Sequence, residues 1–386
     1  MRDLGKLLII STFYLEIILV SKNKGLKMVK KISIGLLSMF MLLGCGSDKS
    51  SKKNNLVETS AFDKSSTDIM YKAMDKFPNH VQISIAKIKD GQVHYYGALH
   101  SDGTVTTVEN YANTFMIGSI SKLFTSTLLA QMVLDGKVAL DDNIQKRLPY
   151  TLHNDVNISY KQLSNHTSGL PREPDTALQN DPKYHEYNAL DITDIEKYLK
   201  HDLALKHAQG SHHYSNLAVA TLGYMMTHME NKPYEVLLQE RIFNKLGMQH
   251  STTIRANVQA TLIPALMPND DPVPPAYKSA GGILSTVEDL YRFSLASFGD
   301  EPEYLLTQKA TLKIDDTTSV GLGWSIKKER GQNFYFHNGA VQGYRSVMIL
   351  DKENQNGIII LSNLPIDDNL GDITNLGVSL IEEMYK

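Results

Sequence analysis

Ser119 and Lys122 stand three residues apart at the head of an apolar-periodic run, in Phe115-Met-Ile-Gly-Ser119-Ile-Ser121-Lys122-Leu-Phe-Thr125. Ile120, Phe124, Leu128 and Met132 recur every four residues, Leu123 widens the stripe, and Gly136 is placed to end it, so the spacing predicts a helix. A free hydroxyl is a poor nucleophile. It needs a base within hydrogen-bond reach and donors aimed at the oxyanion that follows attack. An i,i+3 relation in a first helical turn brings an amine beside the hydroxyl and supplies unpaired N–H groups. The chemistry these two residues could do is that of a serine nucleophile with a base beside it.

The same Ser-x-x-Lys spacing recurs at Ser21 to Lys24, Ser50 to Lys53, Ser84 to Lys87 and Ser325 to Lys328, so context has to choose. The first two fall in the N-terminal apolar and linker region. The last two fall in predicted strands, where residues three apart point to opposite faces. Only Ser119 opens a helix, and without partners it would read as an ordinary first-turn serine.

Two other constellations offer partners. Tyr214-Ser215-Asn216 begins a second predicted helix and presents a phenol and an amide at its start. A phenol of pKa about 10 must fall to about 7 to act as a base, at a cost of about 4 kcal/mol. One ammonium about 4 Å away supplies roughly that at an effective dielectric near 20, so Lys122 is expected to make Tyr214 a base. The tripeptide alone would more often be a capping turn. His337-Asn338-Gly339, followed by Ala340, is placed between strands. It reads either as a hairpin turn or as an edge strand with His337 facing the serine, where the N–H of Ala340 joins that of Ser119 as an oxyanion hole.

The elements that must hold these residues come in a simple order. A hairpin is expected over Val81 to Leu99 with its turn at Asp90-Gly91, and the Ser119 helix follows. Helices are expected over Leu190 to Leu203, Ser215 to Met229 and Pro233 to Leu246, and another with Ser285 or Thr286 as N-cap. Strands are expected over Ser319 to Lys327, Asn333 to His337, Tyr344 to Asp351 and Gly357 to Asn363, with a turn at Asn356-Gly357, and a helix over Leu370 to Tyr385. Sheet at both ends with helices between predicts an α+β fold. One lobe is built from about 67–149 and 276–386, and a helical lobe from about 150–275.

With 386 residues the chain can bury a substantial site, and a net charge of -3 gives no electrostatic case for nucleic acid. The N-terminus differs from the rest. Leu7 to Val20 and Ile32 to Leu43 are apolar but too short to span a bilayer, and Lys27, Lys30 and Lys31 precede the second. That run ends at Leu42-Leu43-Gly44-Cys45, which resembles a bacterial lipobox with Cys45 as the lipidated residue. Residues 1–45 are expected to be extension and signal, with translation starting at Met1 or Met28, and 46–66 a flexible tether to a folded body over 67–386. Cys45 is the only cysteine, so no intramolecular disulfide can form.

Taken in order, Ser-Ile-Ser-Lys, Tyr-Ser-Asn and His-Asn-Gly resemble the three motifs of the penicillin-recognising serine hydrolases: class C β-lactamases, D,D-peptidases and related esterases. The likeness extends through Leu163-Ser-Asn-His-Thr-Ser-Gly-Leu-Pro171, Leu246-Gly-Met248, Ala280-Gly-Gly-Ile-Leu-Ser-Thr286 and Gly321-Leu-Gly-Trp324. It implies a β-lactamase/transpeptidase-like fold, an antiparallel sheet flanked by helices with the nucleophile helix between the lobes. Ser119 would attack a carbonyl, Lys122 and Tyr214 would move protons, and Asn216 would orient Lys122 and the substrate amide. His337, with Gly339 and Ala340, would face the substrate. His166 and Trp324 are expected to be structural. No metal or organic cofactor is implied, and a monomer is expected.

His337 stands where β-lactamases of this class usually have lysine, a more permanent partner for a carboxylate. A histidine is mostly neutral at pH 7, so carboxylate capture should be weak or favoured by acid. The expectation is therefore an envelope-bound D,D-peptidase or esterase. A β-lactamase and a non-turnover penicillin-binding sensor are the alternatives.

Overall fold

A computed structural model describes residues 54–174, 181–266, 273–366 and 372–386. The Cys45 lipidation site and the expected signal lie outside these residues. The folded body begins earlier than expected. Leu56 and Phe62 are buried, Asn55 bridges to Thr106, and helix α1 (Lys64–Met74) starts from an Asp63 cap. The flexible tether predicted over 46–66 is corrected accordingly, because residues 54–66 are packed against the sheet.

Among the described residues that sheet has nine strands, all antiparallel. In chain order they are β1 (Val81–Lys89), β2 (Gln92–Ser101), β3 (Thr104–Thr107), β6 (Leu312–Lys313), β7 (Thr318–Val320), β8 (Ser325–Glu329), β9 (Gln332–Val341), β10 (Tyr344–Asp351) and β11 (Asn356–Ser362). Their spatial order is β3-β2-β1-β11-β10-β9-β8-β7-β6, so the first strands and the last meet at β1–β11. Two further short strands, β4 (Phe115–Met116) and β5 (Leu284–Ser285), pair beside the site. The β1–β2 turn has Asp90 at φ 50° and Gly91 at φ 75°, the positive-φ pair that matches strand twist.

β10 and β11 are almost wholly buried because helices cover both faces, which explains the unbroken Ile358-Ile-Ile-Leu361 run. Helix α10 (Ile373–Glu383) packs on β10 and β11, where Gly377 permits close approach to Val347. Residues of the alternate register, among them Met348, Leu350, Ile359 and Leu361, join the main core. Helix α8 (Val287–Phe298), capped by Thr286, packs against β1 and β11.

Between β3 and β5 run α2 (Ser121–Leu134), α3 (Tyr160–Ser164), α4 (Ile192–His201), α5 (Asn216–Glu230), α6 (Tyr234–Leu238) and α7 (Lys278–Gly281). α6 continues through a π turn, Gln239–Phe243, into Asn244–Leu246. α9 (Pro302–Gln308) follows α8 and leans on α2. α2 is buried on every side, not along one stripe. Its polar residues are bonded across to neighbours: Thr125 Oγ1 donates to Ser279 O at 2.7 Å, and Ser126 Oγ lies 2.9 Å from Ser164 Oγ.

Two turn expectations are corrected. His337-Asn338-Gly339 is neither a turn nor a loop between strands but part of β9, which runs on to Val341 and turns at Gln342-Gly343, with Gly343 at φ 82°. Asn356-Gly357 opens β11, and the turn lies just before it over 352–355.

Candidate active site

The nucleophile turn is held from three directions. The β4–β5 pairing fixes Phe115 and Met116, and Ile117 N–H donates to Ile283 O at 2.9 Å. Gly118–Ile120 then forms a 3-10 turn that feeds α2, with Gly118 at φ 53°. β9 closes the third side. A Cβ on Gly339 would lie 2.2 Å from Ile117 O and 3.0 Å from Ser119 N, and one on Gly118 would lie 2.9 Å from Ala340 N. The amides of Ser119 and Ala340 therefore flank one crevice that only glycines leave open.

β9 is an interior strand of the sheet, which corrects the expectation of an edge. Its pairing with β8 nevertheless ends at Ser325 opposite Phe336, so His337 to Val341 run past the end of β8 and meet the nucleophile turn instead.

Ser119 Oγ lies 2.9 Å from Lys122 Nζ and 2.7 Å from Tyr214 Oη, whose hydroxyl donates to it. Lys122 Nζ also lies 2.8 Å from Asn216 Oδ1 and 2.6 Å from Ala280 O. Both of those atoms are acceptors only, so they take two N–H groups. Burial holds the Lys122 pKa well below its ordinary value, the Glu173 carboxylate acting against this and Arg172 adding to it. Lys122 Nζ is thereby held against the Ser119 hydroxyl, and burial shifts it toward the neutral form that could accept that hydroxyl's proton. Burial moves Tyr214 the other way, up to about 12, against the lowering effect of its bond to Ser119. Burial thus disfavours both the ammonium expected at Lys122 and a phenolate at Tyr214, which favours Lys122 over Tyr214 as the basic member of the pair.

Tyr214 and Asn216 are positioned by the segment that follows α3. Ser215 Oγ caps α5 by accepting from Ala218 N and donates to Pro171 O at 2.6 Å. The N–H groups of Asn216 and Leu217 donate to Arg172 O. Buried His166, at φ 61°, accepts from Ser215 N–H through Nδ1 and lays its ring 4.4 Å from that of Tyr214. This scaffold explains the Leu163–Pro171 motif, and buried Trp324 packs edge-on against Tyr335.

His337 lies on the Gly339 side of β9 but is only 7% exposed. Its Nδ1 is 2.7 Å from Asn338 O, which makes Nδ1–H the donor. Burial first, then the Lys122 charge, push its pKa down to about 3. Acid-favoured capture of a carboxylate is therefore corrected: this imidazole stays neutral across the working range.

A cleft of about 260 Å³ opens at Ser119, lined by Glu173, Asn216, Tyr277 and Ala280 on one part and Ala340 to Gln342 on another. Glu173 is the site residue that sequence reasoning missed. Its Oε1 accepts from Asn216 Nδ2 at 2.6 Å, while its Oε2 is buried without a hydrogen-bond partner among the described residues. Its only sequence signal was a charged pair, Arg172-Glu173, directly after the Leu-Pro that ends the motif.

A serine turn pinned between an antiparallel sheet and a helical layer, with lysine and tyrosine converging on it, defines a serine hydrolase of the β-lactamase/transpeptidase type. A family model described as Beta-lactamase matches residues 72–378, and the chain belongs to that family of serine hydrolases, which includes D-alanyl-D-alanine carboxypeptidases. Among curated relatives it is 27% identical over 275 residues to "Beta-lactamase-like protein 2" of Dictyostelium discoideum, covering 65% of this chain and 50% of that protein. It is 26% identical over 277 residues to the D-alanyl-D-alanine-carboxypeptidase/endopeptidase AmpH of Escherichia coli, covering 65% of this chain and 71% of that one. The chain spans about half the length of the first curated relatives it matches. A solved beta-lactamase/D-alanine carboxypeptidase from Yersinia pestis shares the fold with a TM-score of 0.66 at 21% identity, over 82% of this chain and 99% of that one. A penicillin-binding protein homologue from Pyrococcus abyssi does so with a TM-score of 0.68 at 20% identity, over 82% and 76%.

Proposed function

We propose that the protein is a cell-envelope hydrolase working through an acyl-enzyme at Ser119, of the esterase or D,D-peptidase kind. The observation that carries this reading is the Ser119 hydroxyl held at 2.9 Å from a buried lysine and 2.7 Å from a protonated tyrosine. Lys122 takes the hydroxyl proton as Oγ attacks the carbonyl, and the N–H groups of Ser119 and Ala340 receive the oxyanion. Tyr214 gives its proton to the leaving oxygen or nitrogen, and the Lys122 ammonium balances the phenolate that results. Water then attacks the ester and returns a proton to Tyr214, while Lys122 reprotonates the departing Oγ. Asn216 holds Lys122 in place throughout.

Neutral, buried His337 supports the esterase or peptidase reading over that of a dedicated β-lactamase, since it offers no fixed charge to a drug carboxylate. Turnover of a neutral activated ester, D-Ala-D-Ala and a cephalosporin by the wild type and Ser119→Ala tests the proposal. Ester or dipeptide turnover abolished in Ser119→Ala is expected. Turnover that survives there contradicts the nucleophile, and labelling by penicillin without turnover of anything would favour a sensor.

We further propose export and lipid anchoring at Cys45, supported by the apolar run ending in Leu42-Leu43-Gly44-Cys45. Among the described residues no helix is long and apolar enough to cross a membrane. Cys45→Ser is expected to release the protein from the membrane fraction, and unchanged retention would contradict the anchor.

A further inference from the structure

Among the described residues that line the cleft at Ser119, Glu173 is the one with a charged side chain. The cation next to it in sequence, Arg172, is exposed and lies over the ring of Tyr214, 5.1 Å from its centroid, so solvent weakens its charge. Lys122 is fully buried and already engaged with Ser119, Asn216 and Ala280. His337 is neutral and does not line the cleft. A substrate entering here meets a carboxylate whose burial is only partly offset by the charges of Arg172 and Lys122.

We propose that Glu173 selects acyl substrates bearing a cationic group, an ammonium beside the scissile carbonyl, so that the preferred substrate class is aminoacyl esters or amides with a free amine. This rests on the reading of Ser119 as the nucleophile. The carboxylate is anchored through Oε1 by Asn216 Nδ2 at 2.6 Å, while Oε2 is buried without a hydrogen-bond partner among the described residues and keeps its acceptor capacity for a substrate N–H. Asn216 is also the residue that holds Lys122, so a bound ammonium sits within one side chain of the catalytic amine. Burial disfavours the Glu173 anion more than Asn216, Arg172 and Lys122 favour it, and a substrate cation adds countercharge. An N-acylated or carboxylate-bearing analogue supplies none and leaves the carboxylate desolvated and unpaired.

The test compares two p-nitrophenyl esters of D-alanine, one with a free α-amine and one N-acetylated, at pH 6, where an α-amine of pKa about 7.7 to 8.0 is charged. kcat/KM is measured for both on the wild type and Glu173→Gln. Glutamine keeps the oxygen that accepts from Asn216 and removes only the charge. The wild type is expected to prefer the free amine, and the ratio of the two kcat/KM values to fall at least about tenfold in Glu173→Gln. Because the ratio does not depend on how much of the variant is folded, a general loss of activity does not mimic this result. A wild type that favours the N-acetyl ester, or a Glu173→Gln variant with an unchanged ratio, would overturn the proposal and leave Glu173 as a support for Asn216. Hydrolysis that persists in Ser119→Ala is a separate failure, of the nucleophile, and is read from a different variant.

Discussion

Lys122 shows how environment reassigns chemistry that residue type leaves open. A lysine beside a tyrosine suggested an ammonium activating a phenol, yet complete burial disfavours that ammonium and favours the amine as the base. Lys122→Met is expected to slow acylation by about 10² to 10⁴-fold, the usual range for a lost general base, as measured by burst or labelling rates. Acylation should also fall as pH drops through the lowered Lys122 pKa. The buried histidines predict a stability effect. His337 is pushed from 6.5 to about 3, so between those values the unfolded chain binds the extra proton and stability rises with pH. It is fully present above 6.5 and lost as pH falls toward 3, at about 1.4 kcal/mol per pH unit for one proton. His166 is shifted in the same direction. Denaturant unfolding at pH 4 and 7 should show a shallower pH slope in His337→Asn, and an unchanged slope would contradict the burial argument. Residue types and spacing pointed to Ser119, Lys122, Tyr214 and Asn216, which converge, whereas Glu173 carried no spacing signal because its place depends on how 171–173 wraps the head of α5.

At the scale of elements, periodicity identified α2, α4, α5, α8 and α10 to within a few residues, since each carries a cap or an apolar repeat. It failed on β9 because Asn-Gly is a strong local turn signal that pairing with β10 overrides. The short α1 and α9 were also missed, as their apolar residues are few. Two elements carry testable weight. In Gly339→Ala the added Cβ collides with Ile117 O and Ser346 Oγ, so β9 must part from the nucleophile turn. We expect a loss of about 1 to 3 kcal/mol in denaturant unfolding together with loss of Ser119 labelling. Ser215→Ala removes the α5 cap and its bond to Pro171, and should cost about 1 to 2 kcal/mol, with a fall in kcat from a misplaced Tyr214.

The described body joins its first and last strands in one sheet, which the sequence suggested through strands on either side of the helical stretch. What it did not reveal was how tightly the segment before α1 belongs to the body. Lys87 donates to Ala61 O and pairs with Glu383 at 3.1 Å, tying that segment to α10, and Phe62 is fully buried beneath Tyr96. A chain starting at Asn54 should fold and hydrolyse esters like the full chain, while one starting at Lys64 should lose several °C in melting temperature. Equal melting temperatures would contradict the packing of residues 54–63.

The central claim is that Ser119 carries the acyl group. It is tested most directly by intact-protein and peptide mass spectrometry after brief reaction with an activated ester or a penicillin. The account predicts one adduct, on the peptide holding Ser119, absent from Ser119→Ala and slowed in Lys122→Met. An adduct on another residue, or one that persists in Ser119→Ala, would contradict it.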